Sequence, residues 1–169
     1  MVFALRLLHI VLGAFWVGAI VFSAFFLMPA VRAAGPGGGG VMAQIMGRLH
    51  FHTYMLSAVW LTILSGLAMG YHNGGESGFR WFAIGVGRMF GLGGVLAIIA
   101  GILGGAVTAP AAQKLGALSA KVQASGAPPT PADKAELERL QSRLFNATRL
   151  VAVLVLLAVA AMAVARYSA

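Results

Sequence analysis

The sequence predicts an all-α integral membrane protein, a bundle of four transmembrane helices, and three observations lead there. Of 169 residues, 60% are hydrophobic and a further 23 are glycine, while only 9% are charged. An average soluble domain is about 45–50% apolar with glycine included and about 25% charged. A compact soluble chain of this size has too little interior to hide such an excess. Second, four stretches are long and apolar enough to cross a hydrocarbon core about 30 Å thick, which takes about 20 residues. Third, none of them alternates as a barrel strand does, and in hydrocarbon only a helix then satisfies the backbone groups. A soluble enzyme and a disordered tail are both excluded.

The first span covers about 2–30. Its apolar run, 7–27, exceeds the roughly 7–15 residues of a signal peptide, so a retained span is expected. The following segment contains Gly35-Pro36-Gly37-Gly38-Gly39-Gly40, expected to be a flexible break. The second span covers about 52–71, and a polar turn, Asn73-Gly74-Gly75-Glu76-Ser77-Gly78, leads to a third over about 81–108. The long connection 109–149 is not a plain loop. Leu115, Leu118 and Val122 fall at helical spacing before Gly126-Ala127-Pro128-Pro129 breaks the chain. Thr130 then offers an N-cap hydroxyl, Pro131 suits the first helical position and Asp133 favours the positive helix end. Leu137, Leu140 and Leu144 carry a helical repeat into the fourth span, about 150–165. Helices three and four are thus expected to extend beyond the membrane as a cytoplasmic helical hairpin, with residues 1–169 forming one four-span domain.

The formal charge of +8 fits orientation in a bilayer better than nucleic-acid binding, because no basic cluster interleaved with aromatics appears. The Gly-rich segment and the hairpin carry Arg32, Arg48, Lys114, Lys121, Lys134, Arg139, Arg143 and Arg149; the opposite side has Arg6, Arg80, Arg88 and Arg166. By the positive-inside rule the first set is cytoplasmic and both termini are periplasmic. The expected partners are the lipid bilayer and other membrane-protein subunits. Gly87 with Gly91, and Gly101 with Gly105, repeat small residues on helix three, where another helix can approach closely.

With no cysteine, the chain has no disulfide, thiolate zinc site, all-Cys iron–sulfur cluster or C-x-x-C-H haem attachment. Two residues inside the spans carry possible chemistry. Arg88 stands about two turns into the third span, where an ionised group costs about 2.5–3.5 kcal/mol, and no span holds an acid to pair with it. Either it snorkels outward to Glu76, water or headgroups, or it binds an anion such as a cofactor carboxylate. His9 sits about one turn into the first span, and Arg6, His9, Gly13 and Trp16 share one helical stripe. That stripe suits an imidazole-ligated planar macrocycle, haem b, with His9 as metal ligand, Gly13 leaving a gap, Trp16 walling it, and Arg6 and Arg88 meeting propionates. The simpler alternative is a histidine hydrogen-bonded to a neighbouring helix. His72, ending the second span, is a candidate second axial ligand; His50 and His52 point apart and make a poor chelating pair. No H-x-x-x-H spacing, nucleophile–base pair or carboxylate dyad is present.

The first span, Leu5-Arg6-Leu7-Leu8-His9-Ile10-Val11-Leu12-Gly13-Ala14-Phe15-Trp16-Val17-Gly18, followed by Phe26-Leu27-Met28-Pro29, resembles a group of small bacterial membrane proteins. The group includes copper-resistance D-like proteins, several uncharacterised four-span families and the small haem-binding protoporphyrinogen oxidases, and shares L-H-x-x-x-x-x-x-W-x-G near the start of its first helix. The resemblance implies the bacterial inner membrane, and in the oxidase branch the first-helix histidine, here His9, is associated with b-type haem. The polar residues of that branch's second and third spans are not matched. Two functions are therefore expected: a b-haem protein in electron transfer or tetrapyrrole chemistry, or a non-catalytic accessory subunit of a larger respiratory or photosynthetic membrane complex.

Overall fold

A computed structural model describes residues 2–167, the side chains of 36, 37 and 43 apart. Among the described residues the chain is all-helical, and four helices are long and apolar enough to cross a membrane. The first, α1, runs Val2–Ala33. It contains Pro29, which lacks an N–H and whose ring clashes with the carbonyl four residues back. The helix absorbs this by widening into a π turn, Ser23–Leu27, just ahead of the proline. The third spanning helix repeats the device, with a π turn at Gly104–Thr108 ahead of Pro110.

Residues 36–40 are not the flexible break expected of a glycine run. Gly35 turns the chain at φ +57°, and a short helix, α2, covers Pro36–Ala43 with proline in its first turn. A π turn, Gln44–Arg48, continues it. Bare backbone at Gly38 is what permits this fold-back, since a methyl there would collide with the Val31 carbonyl.

Helix α3, Phe51–Gly74, forms the second span. A 3-10 segment, Gly75–Ala83, follows. Gly75, Gly78 and Gly85 take positive φ, which glycine adopts without steric cost, and Ile84 is extended. Helix α4, Gly87–Ala124, therefore begins at Gly87 rather than at 81. The displaced segment caps the bundle. Trp81 stacks on Phe90 at 5.7 Å, and the Phe82 ring sits where any side chain at Gly70 would be.

Helix α5, Pro131–Val164, is continuous over 34 residues, roughly 50 Å at 1.5 Å per residue. The cap expected at Thr130 forms: Thr130 Oγ1 accepts from the Asp133 N–H, and the Asp133 carboxylate accepts from the Thr130 N–H. The first half of α5 packs on the Ala109–Ala124 portion of α4.

In the bundle α1 packs on α3 and α4 on α5, while α3–α4 and α1–α5 contacts close the ring. The core joins Trp16, Val59, Ile63, Ala100, Val151 and Val155. Lipid tails are as apolar as these side chains, so close packing rather than the hydrophobic effect favours association. Small residues supply it: Ala100 and Ala152 are wholly buried, and side chains at Gly93 or Gly101 would press on Met162 or on Val59 and Ile63. Three of the four glycines expected to face partner subunits are turned inward. Gly87 and Gly91 lie against the Trp81 and Phe82 backbone and Gly101 against α3, whereas Gly105 has open space.

Candidate ligand site at His9

His9 faces α3. Its Nδ1 lies 2.8 Å from the Thr62 carbonyl oxygen and 3.3 Å from Ser65 Oγ. Gly66 makes the approach possible, because a methyl at 66 would stand 2.8 Å from His9 Cε1. Ser65, itself buried, donates its hydroxyl to the carbonyls of Leu61 and Thr62. The Thr62 carbonyl therefore accepts from two side chains, a cradle built by one turn of α3.

This arrangement fixes the tautomer. A carbonyl only accepts, so in the neutral ring Nδ1 carries the proton and Nε2 keeps its lone pair. The hydrogen bond to a neighbouring helix that the simpler reading expects is thus present, and it occupies one ring nitrogen only. Among the described residues Nε2 has no hydrogen-bond partner, and the side-chain atoms there that are both buried and unpartnered are Thr62 Oγ1 and Thr108 Oγ1. The free lone pair is therefore not fully enclosed, on a residue that is itself half-buried.

The other expected site residues separate. Trp16 is only 3% exposed and belongs to the core, so it walls no open pocket. Gly13 leaves no gap for a planar ring, because Thr62 Cγ2 already lies 3.5 Å from where its side chain would begin. Arg6 is one turn from His9 on the outer surface. Arg88 is the second residue of α4, not two turns deep; its N–H bonds the Gly85 carbonyl, its side chain is exposed, and it makes no ion pair with Glu76. It stands on the helix diagonal to α1, whose packing partners are α3 and α5. The structure does not bring Arg88 to His9. His72 is exposed in the last turn of α3, six residues past Gly66, about 9 Å along the axis and on another face. It does not join His9 as a second ligand.

Thr62 and Ser65 are not among the residues that the sequence singles out; Tyr54, Ser57 and Trp60 on the same helix point outward. The available signal was a hydroxyl pair at i and i+3, followed at once by glycine, inside an apolar span. No group of three or more His, Cys, Asp or Glu side chains gathers among the described residues. Compared with family models, with curated proteins and with solved structures, the chain matches none.

Proposed function

We propose that this four-span membrane protein binds b-type haem, and that His9 Nε2 is the protein atom that would ligate its iron. One observation carries the reading: Nδ1–H is held by the Thr62 carbonyl while Nε2 is unpartnered among the described residues and not fully enclosed. A ligating histidine ordinarily donates its other ring N–H to a carbonyl or carboxylate, which fixes the ring and raises its basicity. A haem so held supplies one-electron transfer. In this reading α3 positions the ring, and Arg6, one turn away on the outer surface, is the cation available to a propionate. Because Gly13 and Trp16 are already packed, His9 would have to hold the group from outside the α1–α3 pair rather than within the bundle. The charge asymmetry of the sequence favours an inner-membrane orientation with both termini periplasmic and the paired α4–α5 extension as a cytoplasmic hairpin.

The test is the visible spectrum of detergent-purified protein supplied with haem. Wild type and His72→Ala should both show a Soret band, and His9→Ala should lose it while keeping its helical circular dichroism. A colourless wild type, or a band that survives His9→Ala, would overturn the proposal. A colourless protein co-purifying with a large complex would instead favour an accessory subunit.

A further inference from the structure

The membrane-edge end of the α4–α5 pair holds a second, unrelated feature. A cleft of about 200 Å³ opens between the π turn of α4 and the first half of α5. Pro110, Ala111 and Leu140 floor it, the last two only 3% exposed. Lys114, Arg139 and Arg143 line its mouth. Its volume is several times the ~30 Å³ share of a water molecule, so it admits a polyatomic group.

The charges are arranged for an anion. Arg139 and Arg143 are four residues apart on one helix face, a like-charge spacing that destabilises a bare helix, and Lys114 faces them from α4. One acid is close. Glu136 takes Arg139 Nε and Nη2, each at 2.7 Å, which leaves Nη1 free and the cluster with three cations against one carboxylate. Neither Lys114 nor Arg143 has an ion-pair partner among the described residues.

Depth decides the chemistry. Val107, at the inner end of the cleft, closes the apolar run of α4, and Leu150 opens that of α5. Lys114 and Arg143 each lie seven residues beyond these points, about 10 Å along the helices. The headgroup layer is about 5–8 Å thick per leaflet, and long basic side chains reach back toward it. The Arg143 guanidinium and the Lys114 ammonium thus stand where phosphates are concentrated, with Arg139 one turn further out, and arginine's fork matches phosphate oxygens. Basic clefts between spanning helices at this level recognise anionic headgroups.

We propose that Lys114, Arg139 and Arg143 form a phosphate-binding site at the membrane edge, occupied by the phosphate of an anionic lipid or by a soluble phosphate. It does not depend on haem, and its test reads lipid and phosphate rather than colour. The full-length protein is reconstituted in phosphatidylcholine vesicles containing phosphatidylglycerol, re-extracted, and its retained lipid measured. Phosphatidylglycerol should be enriched over phosphatidylcholine, and the enrichment should fall about tenfold in Lys114→Gln/Arg143→Gln. It should persist in Lys121→Gln/Lys134→Gln, which removes equal charge outside the cleft. In parallel, delipidated protein is titrated calorimetrically with inorganic phosphate and glycerol phosphate. Binding there that is abolished by the cleft variant identifies a soluble ligand, and lipid enrichment without it identifies the headgroup. Equal losses in both variants, or neither lipid enrichment nor phosphate binding in wild type, would overturn the site. Circular dichroism of each variant separates loss of the site from loss of the fold.

Discussion

His9 on α1 and Thr62 on α3 are joined by a 2.8 Å hydrogen bond from imidazole Nδ1 to a main-chain carbonyl. Together with the longer contact to Ser65, it is the side-chain hydrogen bonding that links one spanning helix to another among the described residues. In protein without haem the ring should give the nitrogen-15 spectrum of the Nδ1–H tautomer. Replacing His9 by Ala should cost about 0.6–1.7 kcal/mol, between the average and the largest values for interhelical hydrogen bonds in membranes, read by unfolding in mixed micelles. An Nε2–H tautomer would contradict the geometry.

Gly66 sets how closely that ring approaches. Gly66→Ala would place a methyl 2.8 Å from Cε1, so the ring must move and the Thr62 bond lengthen. A loss of about 1–3 kcal/mol is expected, as for overpacked cores, with the tautomer signal shifted or split. Gly18→Ala, on α1 with open space around it, should be neutral or mildly stabilising in the same assay.

Trp16 and Trp60 offer a contrast at constant chemistry. Trp16 is 3% exposed in the core and Trp60 46% exposed on the outer surface. Trp16→Ala should cost about 3 kcal/mol, the lower end for such truncations, because lipid removes most of the transfer term and leaves lost packing. Trp60→Ala should fall within about 0.5 kcal/mol of wild type. Similar losses for both would mean that the core is elsewhere.

At the start of α5 the Asp133 carboxyl is held below the ordinary carboxylate range, first by the Thr130 hydroxyl, which donates to it at 2.6 Å, and then by the Thr130 N–H. A depressed value means that the cap contributes fully above the unfolded carboxyl's pKa, near 3.9. That contribution is lost as pH falls through the lower, folded value. Proton-linked chemical shifts of Asp133 should therefore titrate below an unstructured aspartate. Thr130→Ala should move the midpoint upward and fray the first turn. No change of midpoint would show that the capping box is not formed.

Much of this architecture is legible in the residues. Apolar length alone locates α1 and α3 to within a few positions, and Thr130, Pro131 and Asp133 mark the start of α5 by a mechanism that the structure reproduces. The misses have physical causes. Trp81 and Phe82 are as apolar as span residues, so hydropathy cannot separate a capping 3-10 segment from a helix; positive φ at Gly78 and Gly85 does so. The glycines at 38–40 read as a break because propensity is local, whereas their helix depends on a close approach to Val31. At the candidate site His9 and Arg6 were recognisable, but their relation to Thr62, Ser65 and Gly66 depends on how α1 is rotated against α3. Composition says nothing about that angle. Arg88 was misplaced for the same reason as Trp81, since a helix that begins later puts it at an end rather than in the middle.

The wide turn ahead of Pro110 inserts one residue that an unbroken α-helical ladder would not need. Every side chain beyond it is thereby turned about 100° round the axis. Lys114 looks across at Arg139 and Arg143 only because of that phase slip. Excising a single residue from 104–108 would let the ladder close as plain α-helix and keep the lysine in place, whereas straightening the turn with every residue retained would swing the lysine away and dismantle the basic mouth by rotation alone.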